Sequence, residues 1–169
     1  CKRMDNKPAI SYVVPVFNKD AYLAETLESL LQQDYKNIEI VVVDDCSTDG
    51  IEYLKKYYVP KDTRINWITL PENKGRSYAR NLGNREAKAD IIAVNDADDM
   101  SDLSRTDETL NYFKLHPEID VYYSSFAVTD ILGNVASILH AVEFDLQRVK
   151  EHRVTYIGHS TMAYRKKVL

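Results

Sequence analysis

Apolar and polar positions alternate in two different periods along the first hundred residues. Short runs rich in β-branched residues predict buried strands over residues 9–16, 38–43, 65–70 and 91–94. Between these runs, apolar residues recur every three or four positions, which predicts helices over residues 21–33, 50–58 and 76–89. Strands that alternate with helices in this way predict an α/β fold, with helices on both faces of a mostly parallel sheet.

The remaining seventy residues carry weaker patterns. They predict a helix over residues 103–115, a strand over 120–128 and a hairpin that turns at Gly133 and Asn134. A short helix is expected over residues 142–151 and a last strand over 159–164. Because no repeat, low-complexity tract or linker interrupts the chain, we expect residues 1–169 to form one domain.

Three strand ends carry the candidate chemistry. Right-handed crossovers place the carboxyl ends of parallel strands on one edge of the sheet, and ligands bind there where the strand order reverses. The three ends are Pro15-Val16-Phe17, Asp44-Asp45 and Asp96-Ala97-Asp98. We therefore expect them to border a single crevice.

The fourth strand ends in Asp96, Asp98 and Asp99, three carboxylates within four residues. Like charges at this spacing raise one another's pKa unless a cation or hydrogen-bond donors compensate them. A divalent cation that prefers oxygen ligands, Mg²⁺ or Mn²⁺, would do so and would also carry a diphosphate. The alternative is structural, because acidic residues also favour the amino end of a helix such as the one expected after Ser101.

The second strand also ends in acid, at Asp44 and Asp45. An ionised carboxylate only accepts hydrogen bonds, which suits the polar edge of a base or ribose hydroxyls. Phe17 is placed to pack on a flat base, although a core position is the alternative. Three cations begin the helix before the acidic strand, within reach of a diphosphate: Lys74, Arg76 and Arg80. Pairing with a strand-end aspartate is the alternative for Arg80.

Net charge, hydropathy and cysteine content limit the kinds of molecule that the chain could bind and where it could be located. The net charge of −4 argues against nucleic acid as a partner, and no apolar run approaches the roughly 20 residues of a membrane span. No signal-peptide pattern is present. The cysteines, Cys1 and Cys46, predict free thiols in a reducing compartment, so we expect the chain in the cytoplasm or at the cytoplasmic face of a membrane. The first residue is Cys and the last five resemble a helix start, which predicts a piece of a longer protein.

Four motifs together resemble the family 2 glycosyltransferases of GT-A fold over residues 9–169. They are PVFN at 15–18, VVDDCSTDG at 42–50, NKG at 73–75 with ARN at 79–81, and DADD at 96–99. The resemblance implies a Rossmann-like three-layer α/β/α fold, here truncated on its carboxyl-terminal side. It also implies transfer of a sugar, usually from a UDP-sugar, with inversion and with Mn²⁺ or Mg²⁺ as cofactor. A carbohydrate or lipid-linked acceptor and a role in polysaccharide biosynthesis would follow.

The same resemblance assigns roles to individual residues. Pro15, Val16 and Phe17 would line the nucleoside pocket, and Asp45, or else Asp44, would bind the base. The remaining donor-site residues would be Arg80, Asp96 and Ala97 with Asp98. Asp98 would bind the metal, with Asp96 on the ribose or as a second metal ligand. Because Asp99 directly follows Asp98, the sequence does not decide which two of these three aspartates form the functional pair.

Some features depart from the family pattern. Asn95 replaces an apolar residue and Ala89 replaces a glycine, and we expect neither to touch the chemistry. Inversion needs a carboxylate that takes the proton of the acceptor hydroxyl. The resemblance places this base beyond Leu169, and we expect His159 to be structural rather than its substitute. The chain should then hold the donor half-site and the start of the acceptor half, bind nucleotide and transfer sugar poorly or not at all.

Two other interpretations remain open. A phosphatase of the haloacid dehalogenase type also uses paired aspartates with Mg²⁺ at a strand end, although its nucleophile is normally followed by Thr or Gly and Asp98 is followed by Asp99. The chain could also act only as a nucleotide- or metal-binding module. A sugar nucleotidyltransferase is disfavoured because PVFN is not its glycine-rich loop, and an EF-hand because Ser101 and Asp107 stand where it needs Gly and Glu.

Overall fold

Within residues 7–152 and 157–169, which the computed structural model describes, eight strands and five helices follow one another. The strands are β1 (Ile10–Val16), β2 (Ile38–Asp44), β3 (Ile65–Thr69), β4 (Ile91–Val94), β5 (Val121–Tyr122), β6 (Phe126–Thr129), β7 (Val135–Leu139) and β8 (Ala163–Arg165). The helices are α1 (Asp20–Leu31), α2 (Ile51–Tyr58), α3 (Arg76–Glu86), α4 (Arg105–Leu115) and α5 (Leu146–His152). Short 3₁₀ helices cover His159–Thr161 and Lys166–Val168.

Six strands form the central sheet, in the order β3-β2-β1-β4-β8-β5. The first four are parallel, and β8 runs antiparallel to both β4 and β5. The chain moves outward from β1 through β2 to β3 and then returns to place β4 on the other side of β1. The strand order therefore reverses between β1 and β4, where ligands of open α/β sheets bind. The predicted parallel sheet with converging strand ends is confirmed.

Side chains alternate between the two faces of each strand, and both faces are covered. On one face, Tyr12 and Val14 of β1 belong to a cluster with residues of α1, α2 and α4. On the other face, Val13 packs in a second cluster with residues of α3. A Cβ on Gly83 of α3 would lie only 2.4 Å from Val13 Cγ1, so this helix approaches the sheet closely. The α/β/α layering predicted from the sequence is confirmed.

Two predicted strands are wrong in extent. Residues 120–128 split into β5 in the central sheet and β6, which pairs with β7 in a separate ribbon. Between them, the Ser125 hydroxyl accepts a hydrogen bond from Ala141 N at 2.9 Å, a side-chain bond that competes with continued strand pairing. Residues 159–164 begin as a 3₁₀ helix because Thr161 N and Oγ1 both donate to Gly158 O, at 3.0 and 2.7 Å.

The other predictions for the later part are confirmed. The β6–β7 hairpin turns at Gly133, which has a φ of 83°. Helix α5 begins within the segment predicted to contain a short helix, 142–151, and ends one residue beyond it. Cys46 is a free thiol, whereas Cys1 lies outside the described residues. None of the helices in the described part is long and apolar enough to cross a membrane.

Candidate functional site

The end of β1 presents an aromatic side chain at the carboxyl edge. Val16 is buried, and its carbonyl accepts a hydrogen bond from Asp45 N at 2.8 Å, which ties the β1 end to the β2 end. Pro15 lies one residue earlier and is partly buried. Phe17 is 45% exposed, so it is not a core residue. Its ring is available to a flat ligand group.

The turns after β1 and β2 are bonded to each other. Asn18 Oδ1 accepts from Thr48 N at 2.8 Å, and Asn18 N donates to Ser47 Oγ at 3.0 Å. Among the described non-glycine residues, those with positive φ are Asn18 (51°) and Cys46 (63°), one in each turn. Such backbone strain persists only where the surroundings hold it, and it clusters at functional sites.

Asp45 is buried and organises the loop that precedes α3. Its Oδ1 accepts from Lys74 N at 2.7 Å and its Oδ2 from Gly75 N at 2.8 Å. The carbonyl of the same residue accepts from Asn73 Nδ2 at 3.2 Å. Asp44 is also buried, and its Oδ1 accepts from Ser47 N at 2.9 Å. Both acidic residues at this strand end therefore hold loops, which the sequence did not reveal.

Arg80 of α3 reaches the acidic end of β4. Its Nη2 lies 3.1 Å from Asp96 Oδ1, the pairing anticipated as the structural alternative. Arg80 Nε is buried and has no hydrogen-bond partner among the residues that the structure describes. Burial and the charge of Arg80 lower the pKa of His159, against an opposing effect of Asp96. The unpartnered Arg80 Nε, a cationic donor, suits an anionic ligand.

The other two cations of this region are more exposed. Lys74 Nζ forms an ion pair with Glu72 at 2.9 Å, and Arg76 begins α3 on the surface. Both lie on the loop and helix that Asp45 positions.

Asn95 shapes the acidic loop through its side chain, a contact that sequence reasoning missed. It is fully buried, and its Nδ2 donates to the carbonyls of Asp96 at 3.0 Å and Asp99 at 2.9 Å. An apolar residue could not hold these two carbonyls. Ala89, the other departure, lies before β4 at the opposite edge, where its N donates to Ser11 Oγ at 3.0 Å.

Arg105, the first residue of α4, supports Asn95 from below. Its Nη1 donates to Asn95 Oδ1 and Ser101 Oγ, both at 2.8 Å. Its Nη2 donates to Val94 O at 2.8 Å and Ser160 O at 2.7 Å, which joins β4 to the 3₁₀ turn. Burial lowers the pKa of Arg105. Sequence reasoning missed this residue, although an arginine at the positive end of a helix dipole is an available signal.

Asp98 and Asp96 have different partners. Asp98 Oδ2 lies 2.7 Å from Lys19 Nζ, and its side chain is 40% exposed. Between the two, Ala97 is buried and its carbonyl accepts from Thr26 Oγ1 at 2.9 Å. Partial burial and the neighbouring Asp96 and Asp98 raise the pKa of Asp99, against a hydrogen bond with Ser160. Asp98 and Asp96 are therefore similarly accessible, at 40% and 38%, and each forms an ion pair with its own cation.

The protein residues alone do not complete a metal site. No group of three or more His, Cys, Asp or Glu side chains within residues 7–152 and 157–169 is arranged to hold an ion. Mg²⁺ sites that also bind phosphates use only one or two carboxylates and keep water and phosphate as the other ligands. An accessible Asp98 with Asp96 two residues away fits that donor set.

The four loops of the carboxyl edge are linked in a closed circuit. The links are Asn18 to Thr48, Asp45 to Lys74 and Gly75, Arg80 to Asp96, and Asp98 back to Lys19. Each strand end is thereby positioned by its neighbours. The predicted site residues belong to one structural unit.

A polar cavity of about 920 Å³ opens beside the acidic loop. Its lining combines carboxylates, hydroxyls and aromatic rings, among them Asp98, Asp99, Glu108, Tyr122, Ser124 and Phe126. Carboxylates accept hydrogen bonds from hydroxyl groups, and rings pack on the apolar faces of sugars. The polar groups and rings of the cavity suit a carbohydrate. Asp98 both lines this cavity and belongs to the circuit of linked loops.

Comparison with known proteins agrees with this geometry. The family model described as glycosyl transferase family 2 matches residues 11–169. An uncharacterized glycosyltransferase of Haemophilus influenzae is 35% identical over 129 residues, which is 76% of this chain and 51% of that protein. These matches support a transferase and not a phosphatase.

Solved structures share the fold. TarS 1–349 of S. aureus, in complex with UDP-GlcNAc, matches with a TM-score of 0.76 and 26% identity, over 95% of this chain and 46% of that one. The mannosyltransferase PcManGT of Pyrobaculum calidifontis, in complex with GDP-Man and Mn²⁺, has a TM-score of 0.71 at 18% identity, over 96% of this chain and 46% of that one. The chain thus spans about half the length of these relatives.

Proposed function

The chain belongs to glycosyl transferase family 2, and on that premise we propose that its carboxyl edge binds a nucleotide diphosphate sugar for transfer to an acceptor hydroxyl. The observation that carries the proposal is the closed circuit of loops, which brings together on one edge an exposed ring, an accessible carboxylate and an arginine whose Nε has no partner among the described residues. TarS, at 26% identity, binds UDP-GlcNAc, which supports a UDP-sugar as the donor.

The nucleoside is proposed to lie against the end of β1. Phe17 supplies an exposed ring for the base, and Pro15 and Val16 form the wall beneath it. Asp45, with Asp44 as the alternative, accepts a hydrogen bond from the base through lone pairs that its loop contacts leave free. Asp45 would then act both on the loop and on the ligand.

The diphosphate is proposed to lie between α3 and the end of β4. Arg80 Nε, which lacks a partner in the described part, would donate to a phosphate oxygen, while Asp96 accepts from the ribose and stays paired with Arg80. Asp98 would hold Mn²⁺ or Mg²⁺, with Asp96 as the second candidate ligand. When bound, this ion offsets the negative charge that grows on the leaving diphosphate.

The acceptor is proposed to enter from the polar cavity on the other side of Asp98. Its carboxylates and rings suit a carbohydrate or the sugar of a lipid-linked acceptor. An inverting transfer needs a carboxylate that takes the acceptor proton. This chain covers 51% of the Haemophilus influenzae relative and 46% of the TarS chain, and we propose that the base corresponds to a residue in the part of those proteins that is not matched.

Thermal unfolding with UDP and Mn²⁺ tests the proposal. A ligand at a hundred times its dissociation constant stabilises the folded state by about 2.7 kcal/mol, which is a rise of about 5–10 °C in Tm for a chain of this size. We expect this rise with UDP and Mn²⁺ together and a much smaller one with UDP alone. Asp98→Asn should abolish the dependence on metal.

Asp90→Asn is the matched control, because Asp90 also forms a 2.7 Å ion pair with a lysine, Lys7, but lies at the opposite end of β4. This variant should respond as the unsubstituted chain does. A Tm that UDP and Mn²⁺ leave unchanged would contradict the proposal. Hydrolysis of p-nitrophenyl phosphate with Mg²⁺ that depends on Asp98 would support the phosphatase instead.

A further inference from the structure

The candidate metal carboxylate already has a cation beside it. Lys19 Nζ lies 2.7 Å from Asp98 Oδ2, and the two side chains are 42% and 40% exposed. Lys19 precedes α1 and Asp98 follows β4, so the pair bridges the point at which the strand order reverses. The contact joins residues 79 positions apart in the sequence. It is therefore a product of the fold and not of local sequence.

The backbone of Lys19 is fixed on both sides. Asn18 is bonded to the turn after β2, as described above, and Asp20 N donates to Asp49 Oδ2 at 2.9 Å. Asp20 Oδ2 in turn accepts from Gly50 N at 2.9 Å. The Lys19 carbonyl accepts from Leu23 N at 3.0 Å, in the first turn of α1. The lysine stem thus leaves from a held position, and its ammonium can reach the acidic loop without rearranging the turn.

An aromatic ring also lies close to the ammonium. The Tyr22 ring centroid is 5.5 Å from Nζ, at a distance typical of a cation–π contact. Lys19 Nζ therefore lies close to both this ring and the Asp98 carboxylate, and both groups attract a cation.

We propose that Lys19 is the resident counter-ion of Asp98, which holds this carboxylate in the metal-free state and has to leave it before a divalent cation can bind. The proposal rests on the proposed function, because it takes Asp98 as the metal ligand. Lys19 then sets the metal affinity of the donor site. It prevents uncompensated repulsion around Asp98, and it weakens metal binding by competing for the same oxygen.

Lys19→Met is the test variant, since it keeps an unbranched apolar stem and removes the charge. Competition by an exposed ion pair of ordinary strength corresponds to about a 1.5- to 5-fold effect on affinity. We expect Lys19→Met to lower the apparent dissociation constant of Mn²⁺ by this factor. The readout is the electron paramagnetic resonance signal of free Mn²⁺, titrated into the full chain with UDP and corrected for UDP alone.

Lys7→Met is the matched control. Lys7 makes an ion pair of the same 2.7 Å length with Asp90, at the amino end of β4 instead of its carboxyl end. Like Lys19→Met, the Lys7→Met variant removes one positive charge from the molecule, so an effect of net charge would appear in both variants. We expect the Mn²⁺ affinity of Lys7→Met to equal that of the unsubstituted chain.

The outcomes separate the two proposals. An unchanged Mn²⁺ affinity in Lys19→Met overturns the counter-ion role while leaving the proposed function intact. A weaker affinity overturns it as well and identifies Lys19 as a contact of the bound diphosphate. If the unsubstituted chain binds no Mn²⁺ in the presence of UDP, or if Asp98→Asn binds it equally well, the proposed function itself fails.

Discussion

Asp45→Asn tests whether the circuit of loops depends on its most buried carboxylate. Asp45 is 2% exposed and accepts from Lys74 N at 2.7 Å and Gly75 N at 2.8 Å. Asparagine retains one acceptor oxygen but presents an NH₂ group to the other backbone N–H. Two donors then face each other in a buried position.

The magnitude follows from these bonds. A hydrogen bond to a charged group contributes about 1.5–3 kcal/mol, and an unsatisfied buried donor costs about 1–3 kcal/mol. Because Asn keeps one of the two bonds, we expect the free energy of unfolding to fall by about 2–4 kcal/mol. With a urea m-value of about 2 kcal/mol/M, the unfolding midpoint should decrease by about 1–2 M.

Urea unfolding followed by circular dichroism measures this change, and UDP titration of the same samples measures binding. Asp49→Asn is the control, because Asp49 also accepts from two backbone N–H groups, of Asp20 at 2.9 Å and Ile51 at 3.3 Å, but is only partly buried. It should cost about 1 kcal/mol or less. If Asp45→Asn unfolds within about 0.5 kcal/mol of the unsubstituted chain, the loop-holding role is refuted. Loss of UDP binding in that stable variant would assign Asp45 to the base alone.

Three further substitutions test the packing and the polar contacts of the fold by urea unfolding. Gly83→Ala should cost about 1–3 kcal/mol, because its Cβ would lie 2.4 Å from Val13 Cγ1; an unchanged midpoint would contradict the close approach of α3. Arg105→Met should cost about 3–5 kcal/mol, because the carbonyls of Val94 and Ser160 lose the hydrogen bonds from its Nη2, and an effect below about 1 kcal/mol would contradict its role under the acidic loop. Hydrogen bonds from Arg64 lower the pKa of Asp62 from 3.8, so this carboxylate stabilises the fold above that pH. Asp62→Asn should therefore be less stable than the unsubstituted chain at pH 7, and the difference should shrink as the pH falls below about 3.8; a difference that grows in acid would contradict this.

The sheet was predictable because its central strands are buried on both faces. Apolar runs such as those of β1 and β2 have no other stable place in a domain of this size, and β4 was placed with its observed bounds. The meeting of the strand ends followed from the handedness of the crossovers. Predictions failed where elements are short and half-exposed, as at β5, β6 and the 3₁₀ turn before β8, because few buried residues define their period.

The sequence was enough to select candidate site residues by their type and position, but not to predict which groups they contact. Acidic strand ends and the basic start of α3 are visible in the sequence. The partners of Asp45 are backbone amides 29 and 30 residues away, and no residue pattern announces them. Lys19 was missed for the same reason, since its partner Asp98 follows a different strand, 79 residues away in the sequence. Asn95 was noticed as a departure, but its bonds to the acidic loop become visible only in three dimensions.

The most direct test of the account is a crystal structure of the chain with UDP and Mn²⁺, in which the anomalous signal of manganese locates the ion. The account predicts the Mn²⁺ peak at the Asp98 carboxylate, with Lys19 displaced from it, the diphosphate beside Arg80 and the uracil ring against Phe17. A peak elsewhere, or UDP bound away from the ends of β1 and β4, would contradict the claim that these strand ends form one donor site.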